Sequence, residues 1–374
     1  MFHHHLGHRA GLALAGCLLA LVSAGMTEAA KSEAAAKQFY RLAASVPLKG
    51  KAPSWDHLTF DPDSGRLYVA RRAGGVTVIE THTRKTIGSI KGAEGANAVA
   101  LAPEFDRGYT ANGDGVATVF KLSTLQTLAR IKMGESADGA FYDAAHKLVV
   151  VTRGDDHRLT FIDARTGKIS GEVVTESKEL ESVAVDAKGW IYVAERDKTA
   201  VAKVDAVKKA VVQEWQVGAE CSLPTGIAID SQHDRLFIGC KGDKPVLAVL
   251  DTQSGQTVAS AAIGRGNDGL VFDPARKTLI ASNGVEGNLV VLDQVDPDHY
   301  RLNQAVTTEP LARTLAYDPK TADVFTMTAE GVVDPSRPIN RRAGTFYPNA
   351  YYDDSFRVLI YRLKAYKAPA PSDD

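Results

Sequence analysis

The chain of 374 residues repeats one pattern of hydrophobic and polar positions seven times. In each repeat a short apolar segment ends in a corner resembling apolar-Asp-Pro, and successive corners are 41 to 45 residues apart. The middle residues of the corners are Asp61, Ala102, Asp143, Asp186, Asp230, Asp273 and Asp318. A run of β-forming residues follows each corner, and a third apolar segment follows a polar, glycine-rich turn. Four short strands in such a period are typical of a β-propeller blade, which buries its faces by stacking on its neighbours.

The pattern therefore predicts an all-β fold, a seven-bladed β-propeller of four-stranded antiparallel blades. The residues one and three positions before each corner are apolar in all seven repeats, as expected for an inner strand packed between blades. The last repeat runs out of strand before the polar, proline-rich residues 364–374. We expect residues 39–42 to supply its outer strand, which closes the ring and covers both sheet edges.

The repeated strands of the type Leu67-Tyr68-Val69-Ala70, with the Asp-Pro corners, resemble the bacterial YncE-like, YVTN-repeat family of exported seven-bladed propellers. The resemblance covers about residues 38–363. It implies a secreted or periplasmic binding protein without an agreed catalytic activity, in a family with some members linked to single-stranded DNA. Residues 221–226, followed by 237–240, look like a recurrent cysteine-paired blade of this family. The corner at Ala102 departs from the pattern because it lacks the aspartate.

Residues 1–24 are predicted to form a secretory signal peptide. Arg9 and four histidines precede an almost unbroken apolar run from Ala10 to Val22, which is too short for a stable membrane anchor. Small residues before Gly25 suit cleavage there, while a lipoprotein-type box that ends at Cys17 is the alternative. No later segment is a transmembrane candidate. We expect a periplasmic or secreted protein whose residues 25–374 form a single propeller domain.

Signal cleavage would leave two cysteines, Cys221 and Cys240. An even pair of cysteines in an oxidising compartment predicts a disulfide. In the loop-closure entropy model, a disulfide that closes a loop of this size stabilises the folded state by about 3 kcal/mol. Two separate buried thiols are the alternative. The 44 Lys and Arg residues against 45 Asp and Glu residues argue against bulk attraction to nucleic acid or to a membrane surface.

A polar residue stands five positions before every corner, whereas the next positions on the same face are apolar. We expect these residues to surround one opening of the central channel, here called the mouth: Asp56, Asn97, Asp138, Glu181, Thr225, Asp268 and Arg313. Four carboxylates would repel one another there, so Arg313, a basic ligand group or a cation such as Ca²⁺ should offset them. A small-molecule or peptide pocket, a divalent-metal site and a merely solvated opening are the three interpretations.

Further candidates lie around the mouth. Basic and polar residues follow the second strand of several repeats and would form a rim around the mouth. The alternative is that these side chains are simply solvated. The rim residues assigned to ligand binding are Arg71, Arg153, Arg196 and Asn283. His57 would act as a base or pack between blades. The last repeat carries an insertion, residues 328–355, predicted to be a lid with Arg341, Tyr347 and Tyr351 or else a loop packed on its own blade.

Three hypotheses follow, and the first assigns no catalytic residue. An exported, non-catalytic propeller would bind a small molecule, peptide or partner protein at the mouth. A metal-assisted, lactonase-like hydrolase would hold Ca²⁺ or Zn²⁺. The metal ligands would be Asp56, Asn97, Glu181 and Asp268. The blade number counts against this hypothesis, because lactonase-like propellers usually have six blades. A single-stranded nucleic-acid binder would stack bases on the lid tyrosines, including Tyr352, beside Arg341 and Arg342.

Overall fold

A computed structural model describes residues 38–51, 54–134, 136–339 and 344–365. Seven four-stranded antiparallel sheets follow one another around a ring, which confirms the predicted seven-bladed β-propeller. No helix within the described ranges is long and apolar enough to span a membrane. The predicted signal peptide and cleavage site lie outside these ranges.

The strands are numbered in chain order, starting with β1 (Gln38–Leu48). Blade 1 contains β2 (Leu58–Asp61), β3 (Arg66–Ala70), β4 (Val76–Glu80) and β5 (Lys85–Ile90). Blade 2 contains β6 (Ala96–Ala102), β7 (Arg107–Asn112), β8 (Val116–Lys121) and β9 (Thr127–Lys132). Blade 3 contains β10 (Ala137–Asp143), β11 (Leu148–Arg153), β12 (Arg158–Asp163) and β13 (Lys168–Val174).

Blade 4 contains β14 (Leu180–Val185), β15 (Trp190–Glu195), β16 (Ala200–Asp205) and β17 (Ala210–Gln216). Blade 5 contains β18 (Pro224–Asp230), β19 (Arg235–Cys240), β20 (Val246–Asp251) and β21 (Thr257–Ala262). Blade 6 contains β22 (Asn267–Asp273), β23 (Thr278–Asn283), β24 (Asn288–Asp296) and β25 (His299–Thr307). Blade 7 begins with β26 (Leu315–Tyr317) and β27 (Val324–Thr328), and β28 (Gly331–Val332), β29 (Ala350–Tyr351) and β30 (Phe356–Ala365) follow.

Ring closure uses β1, the first strand within the described ranges, as predicted. β1 pairs antiparallel with β30, from Gln38 opposite Ala365 to Leu48 opposite Phe356, and so becomes the outer strand of blade 7. Tyr40 also ties β1 to its surroundings: its backbone N–H donates to Gln304 Oε1 of blade 6 at 2.7 Å, and its hydroxyl donates to the Ala322 carbonyl at 2.9 Å.

The hydrophobic core is divided among the contacts between blades. Seven clusters of buried side chains lie between successive pairs of blades, including the pair formed by blades 7 and 1. That cluster joins Trp55 and Leu67 from one side to Phe325 and Phe356 from the other. Because no blade buries its faces alone, loss of one blade edge exposes part of two sheets.

The corner aspartates explain the repeat. In the six repeats that have the residue, its carboxylate accepts a hydrogen bond from the backbone N–H two residues later, at 2.9 to 3.1 Å. This Asx-turn fixes the hairpin between the first two strands. Blade 2 has Ala102 there and forms a 3₁₀ helix, Pro103–Phe105, instead; a second 3₁₀ helix is Arg196–Lys198.

The predicted disulfide between Cys221 and Cys240 is confirmed. It joins the segment before β18 to the end of β19, and both residues belong to the buried cluster between blades 4 and 5. The bond therefore anchors one side of the mouth-facing end of blade 5.

Candidate functional site

Arg313 lies at the centre of a buried ion-pair cluster in the mouth. Its Nε is 2.9 Å from Asp268 Oδ2, and its Nη2 is 3.5 Å from Asp56 Oδ1. The same Nη2 donates to the Trp55 carbonyl at 2.6 Å, while the guanidinium lies 5.4 Å from the Trp55 ring centroid. Arg313 of blade 7 thus contacts a carboxylate from each of its two neighbouring blades, Asp56 of blade 1 and Asp268 of blade 6.

Cations from three other blades also pair with mouth carboxylates. Arg72 Nη2 donates to Asp56 Oδ2 at 2.5 Å. Lys241 pairs with Asp268 of the next blade, and Arg196 pairs with Glu181 of its own blade. Three of the four carboxylates are therefore offset by side chains of this protein, in agreement with the repulsion expected between unpaired carboxylates.

Arg72 adopts an unusual backbone conformation to make its contact. Its φ is 45°, in the left-handed region that few residues other than glycine occupy. The Arg72 backbone N–H donates to the Ala96 carbonyl of blade 2 at 3.0 Å, which holds the segment in place. Such strain often marks functional positions, because the surrounding structure must maintain it.

Asp138 is the exception among the mouth carboxylates. Across the described ranges it has no hydrogen-bond or ion-pair partner, although it lies half-buried beside the other mouth residues. Burial, followed by the charge of Asp56, raises the pKa of Asp138 to about 6, although the charges of His57 and Arg72 oppose this effect. A carboxylate in this position is poorly compensated when it is ionised.

The other mouth acids respond to their own surroundings. Burial alone would raise the pKa of Asp56, but the charges of His57, Arg313 and Arg72 hold it at about 2. Burial raises the pKa of Glu181 above its ordinary range, although Lys241 and Arg196 oppose this effect. The mouth therefore combines a firmly ionised carboxylate with two that retain protons more readily.

The raised pKa of Asp138 predicts a pH-dependent stability. A native state that binds more protons than the unfolded chain loses stability as pH rises. The contribution of protonated Asp138 to the free energy of unfolding is therefore complete below about pH 4 and is lost as the pH rises through about 6. We expect Asp138→Asn to gain up to about 3 kcal/mol relative to the wild type across that window. Urea unfolding of both proteins at a series of pH values checks this, with the exposed Asp114→Asn as control. Parallel pH profiles for wild type and Asp138→Asn would contradict it.

The proposed metal ligands do not fit a Ca²⁺ or Zn²⁺ site. Asp56, Glu181 and Asp268 direct oxygens towards guanidinium or ammonium groups. Asn97 uses its amide nitrogen to donate to the Ala137 carbonyl at 2.9 Å. Among the described residues, no group of three or more His, Cys, Asp or Glu side chains is arranged to hold a metal ion. Ca²⁺ requires six to eight oxygen ligands, which this paired arrangement does not offer.

Several other residues predicted to bind a ligand direct their side chains into the blades. Arg153 is 4% exposed and donates to Thr160 and Glu172, while Asn283 is fully buried and donates to Asn288 and the Ala281 carbonyl. Thr225 is also buried, with its hydroxyl donating to the Leu223 carbonyl. These contacts give no support to a direct role for the three side chains in ligand binding. His57 remains partly exposed, with its Nε2 3.9 Å from Asp56 Oδ1.

The predicted lid lies beside the mouth. Its strands β28 and β29 pair, and the Tyr351 ring is 5.1 Å from that of Trp55, edge to face. Tyr347 and Tyr351 both pack against the cluster between blades 7 and 1. Phe346 is 87% exposed and Tyr352 is 52% exposed. Arg341 and Arg342 lie outside the described residues.

The sequence patterns did not single out Trp55. They also did not show that Arg72 pairs with Asp56 or that Lys241 pairs with Asp268. Trp55 precedes a mouth aspartate, is fully buried and provides both a carbonyl and a ring to Arg313. A cation shortly after the second strand in blades 1, 4 and 5 was the available signal for the mouth pairs.

Comparison with known proteins identifies the fold. No protein-family model matches the chain, and no curated protein does. Among solved structures, one titled "Kuenenia stuttgartiensis Hydrazine Synthase" is 17% identical with a TM-score of 0.66, over 75% of this chain and 94% of that chain. One titled "Crystal Structure of Mitotic Checkpoint Complex" is 12% identical with a TM-score of 0.67, over 96% of this chain and 98% of that chain. At these identities the shared property is the β-propeller fold, and function must be argued from the site.

Proposed function

We propose that the chain is an exported, non-catalytic binding protein of the YncE-like, YVTN-repeat type. Its mouth binds a small molecule or a peptide through a cationic group of that ligand. The observation that carries the proposal is Asp138, a half-buried mouth carboxylate without a partner in the described structure. The Cys221–Cys240 disulfide supports export, because such bonds persist mainly in oxidising compartments.

A cationic ligand group is favoured by the charges around Asp138. Each of the other three mouth carboxylates has at least one cationic partner from the protein, whereas Asp138 has no hydrogen bond or ion pair within the described structure. An ammonium or guanidinium group placed there would form a charge-assisted hydrogen bond in a partly desolvated site. Binding would also favour the ionised form of Asp138, and so lower its pKa from about 6.

Binding rather than hydrolysis is favoured by how the polar groups are used. Arg313, Arg72 and Asp56 hold one another, so none of them is free to transfer a proton or to activate water. The lid residue Tyr347, which packs against the cluster that contains Trp55, supplies aromatic surface beside the mouth for the body of a ligand.

A thermal-shift panel tests the proposal. Primary amines, guanidines and dipeptides with an N-terminal lysine are compared with their acetylated counterparts at neutral pH. We expect at least one cationic compound to raise the melting temperature of the wild type. At a hundredfold excess over its Kd, such a compound would add about 2.7 kcal/mol to the free energy of unfolding. Acetylated compounds should not act, and the effect should be lost in Asp138→Asn but retained in Asp114→Asn. Equal shifts in both variants, or none with any cationic compound, would refute the proposal.

A further inference from the structure

A second cavity lies at the rim of the same face. This rim cleft has a volume of about 490 Å³ and is lined by Lys49, Gly50, Lys51, Arg71, Ala73, Gly74, Tyr351 and Asp353. Its walls come from the segment after β1, the turn between β3 and β4, and the lid. None of the seven mouth residues lines it. Its volume falls in the range of small-molecule pockets and exceeds what a bare inorganic ion needs.

Arg71 is the buried cation of the rim cleft. The residue is 6% exposed, and its Nη1 donates to the Lys49 carbonyl at 2.8 Å. Its Nη2 makes only a 3.5 Å contact with the Lys51 carbonyl, and its Nε has no hydrogen-bond partner. The guanidinium also lies 4.9 Å from the Phe356 ring centroid. Within the described chain, Arg71 thus has neutral partners and no ion pair with a carboxylate.

The charge of the cleft is positive. Lys49 and Lys51 are exposed and stand beside Arg71, while Asp353 is the carboxylate that lines the cavity. Asp354 lies nearby and accepts a hydrogen bond from the Gly50 N–H at 2.7 Å. Burial lowers the pKa of Arg71, and the charge of Asp354 opposes this. Arg71, Lys49 and Lys51 therefore bring three positive charges to the cleft, and no hydrogen bond or ion pair of Arg71 within the described chain is made to a carboxylate.

We propose that the rim cleft binds a small organic oxyanion, a carboxylate or phosphate ester that carries an aromatic or apolar body. Arg71, Lys49 and Lys51 receive the oxyanion, and Tyr351 packs against the body. A guanidinium suits this task because its planar donors match two oxygens of a carboxylate or phosphate. A buried arginine without a carboxylate partner is costly to maintain, and a bound anion would remove that cost.

This inference is independent of the proposed mouth ligand. Within the described chain, Asp138 of the mouth forms no ion pair with a cation, and Arg71 of the rim cleft forms none with a carboxylate. The two sites therefore select opposite charges and are altered by different substitutions. A failure at one site leaves the other untouched.

Isothermal titration calorimetry of the full chain with phenyl phosphate and with benzoate, at low ionic strength, tests the rim cleft. We expect the wild type to bind at least one probe, and the better probe identifies the preferred oxyanion. Lys49→Ala with Lys51→Ala keeps the backbone carbonyls that hold Arg71 and should weaken binding by at least about fivefold. Arg71→Lys should also weaken it, since a lysine keeps the charge but loses the planar donor pair.

Two controls make the result decisive. Lys85→Ala with Lys132→Ala removes two exposed charges from outer strands of blades 1 and 2, and should leave the affinity unchanged. Asp138→Asn should likewise leave it unchanged. The inference is overturned if neither probe binds, or if the Lys49 and Lys51 double variant binds the probe as tightly as the wild type.

Discussion

A chain that begins at Lys49, and so lacks β1, is expected to lose cooperative folding, whereas a chain that begins at Gln38 retains it. β1 contributes the buried side chains of Tyr40, Val46 and Leu48 and pairs with β30 along its whole length. Burial of each such side chain is worth about 1.5 to 3 kcal/mol, so their combined loss approaches the total stability of many domains. Thermal unfolding followed by circular dichroism compares the two chains.

Point variants within the same strand separate packing from chain length. Leu48→Ala removes a side chain that is 2% exposed and should cost about 2 to 5 kcal/mol. Leu42→Ala removes one that is 47% exposed and should cost less than about 0.5 kcal/mol. Equal melting temperatures for the two shortened chains, together with equal effects of the two leucine variants, would mean that β1 does not stabilise the ring.

The fold could be predicted because its signals are local and repeated. Each corner aspartate bonds to its own turn, so the seven corners mark the blades without any knowledge of distant contacts. Ring closure was predictable for a related reason: the last repeat lacked a strand, and residues 39–42 formed the free strand-like segment before blade 1. The corner in blade 2 shows that Ala102 can be accommodated by a 3₁₀ turn.

The candidate site was only partly predictable because several of its ion pairs cross between blades. Lys241 of blade 5 reaches Asp268 of blade 6, and Arg313 of blade 7 contacts residues of blades 1 and 6. No spacing along the chain encodes which cation meets which carboxylate. Arg153 and Arg196 illustrate the difficulty: both occur at the ends of second strands, but Arg153 turns towards Glu172 within its sheet whereas Arg196 reaches the mouth acid Glu181.

The second large effect is expected from Arg313→Met, which should cost about 3 to 5 kcal/mol in free energy of unfolding at neutral pH. Methionine fills much of the space beside Trp55 but leaves Asp56 and Asp268 without the charge that lies between them. Removal of one partner from a buried ion pair is costly mainly because the other partner stays charged and desolvated. Urea unfolding at neutral pH measures the loss.

The same reasoning predicts a rescue that a simple packing defect would not show. In the Arg313→Met background, Asp268→Asn should recover part of the lost stability, because it removes a buried carboxylate that has lost one of its two cationic partners. In the wild-type background Asp268→Asn should destabilise, since it weakens the pair with Arg313 and with Lys241. Strictly additive effects of the two substitutions, or a loss below about 1 kcal/mol for Arg313→Met, would show that ion pairing in the mouth contributes little to the closed ring. A rescue would instead establish that the cation of blade 7 stabilises the ring by holding the carboxylates of its two neighbours.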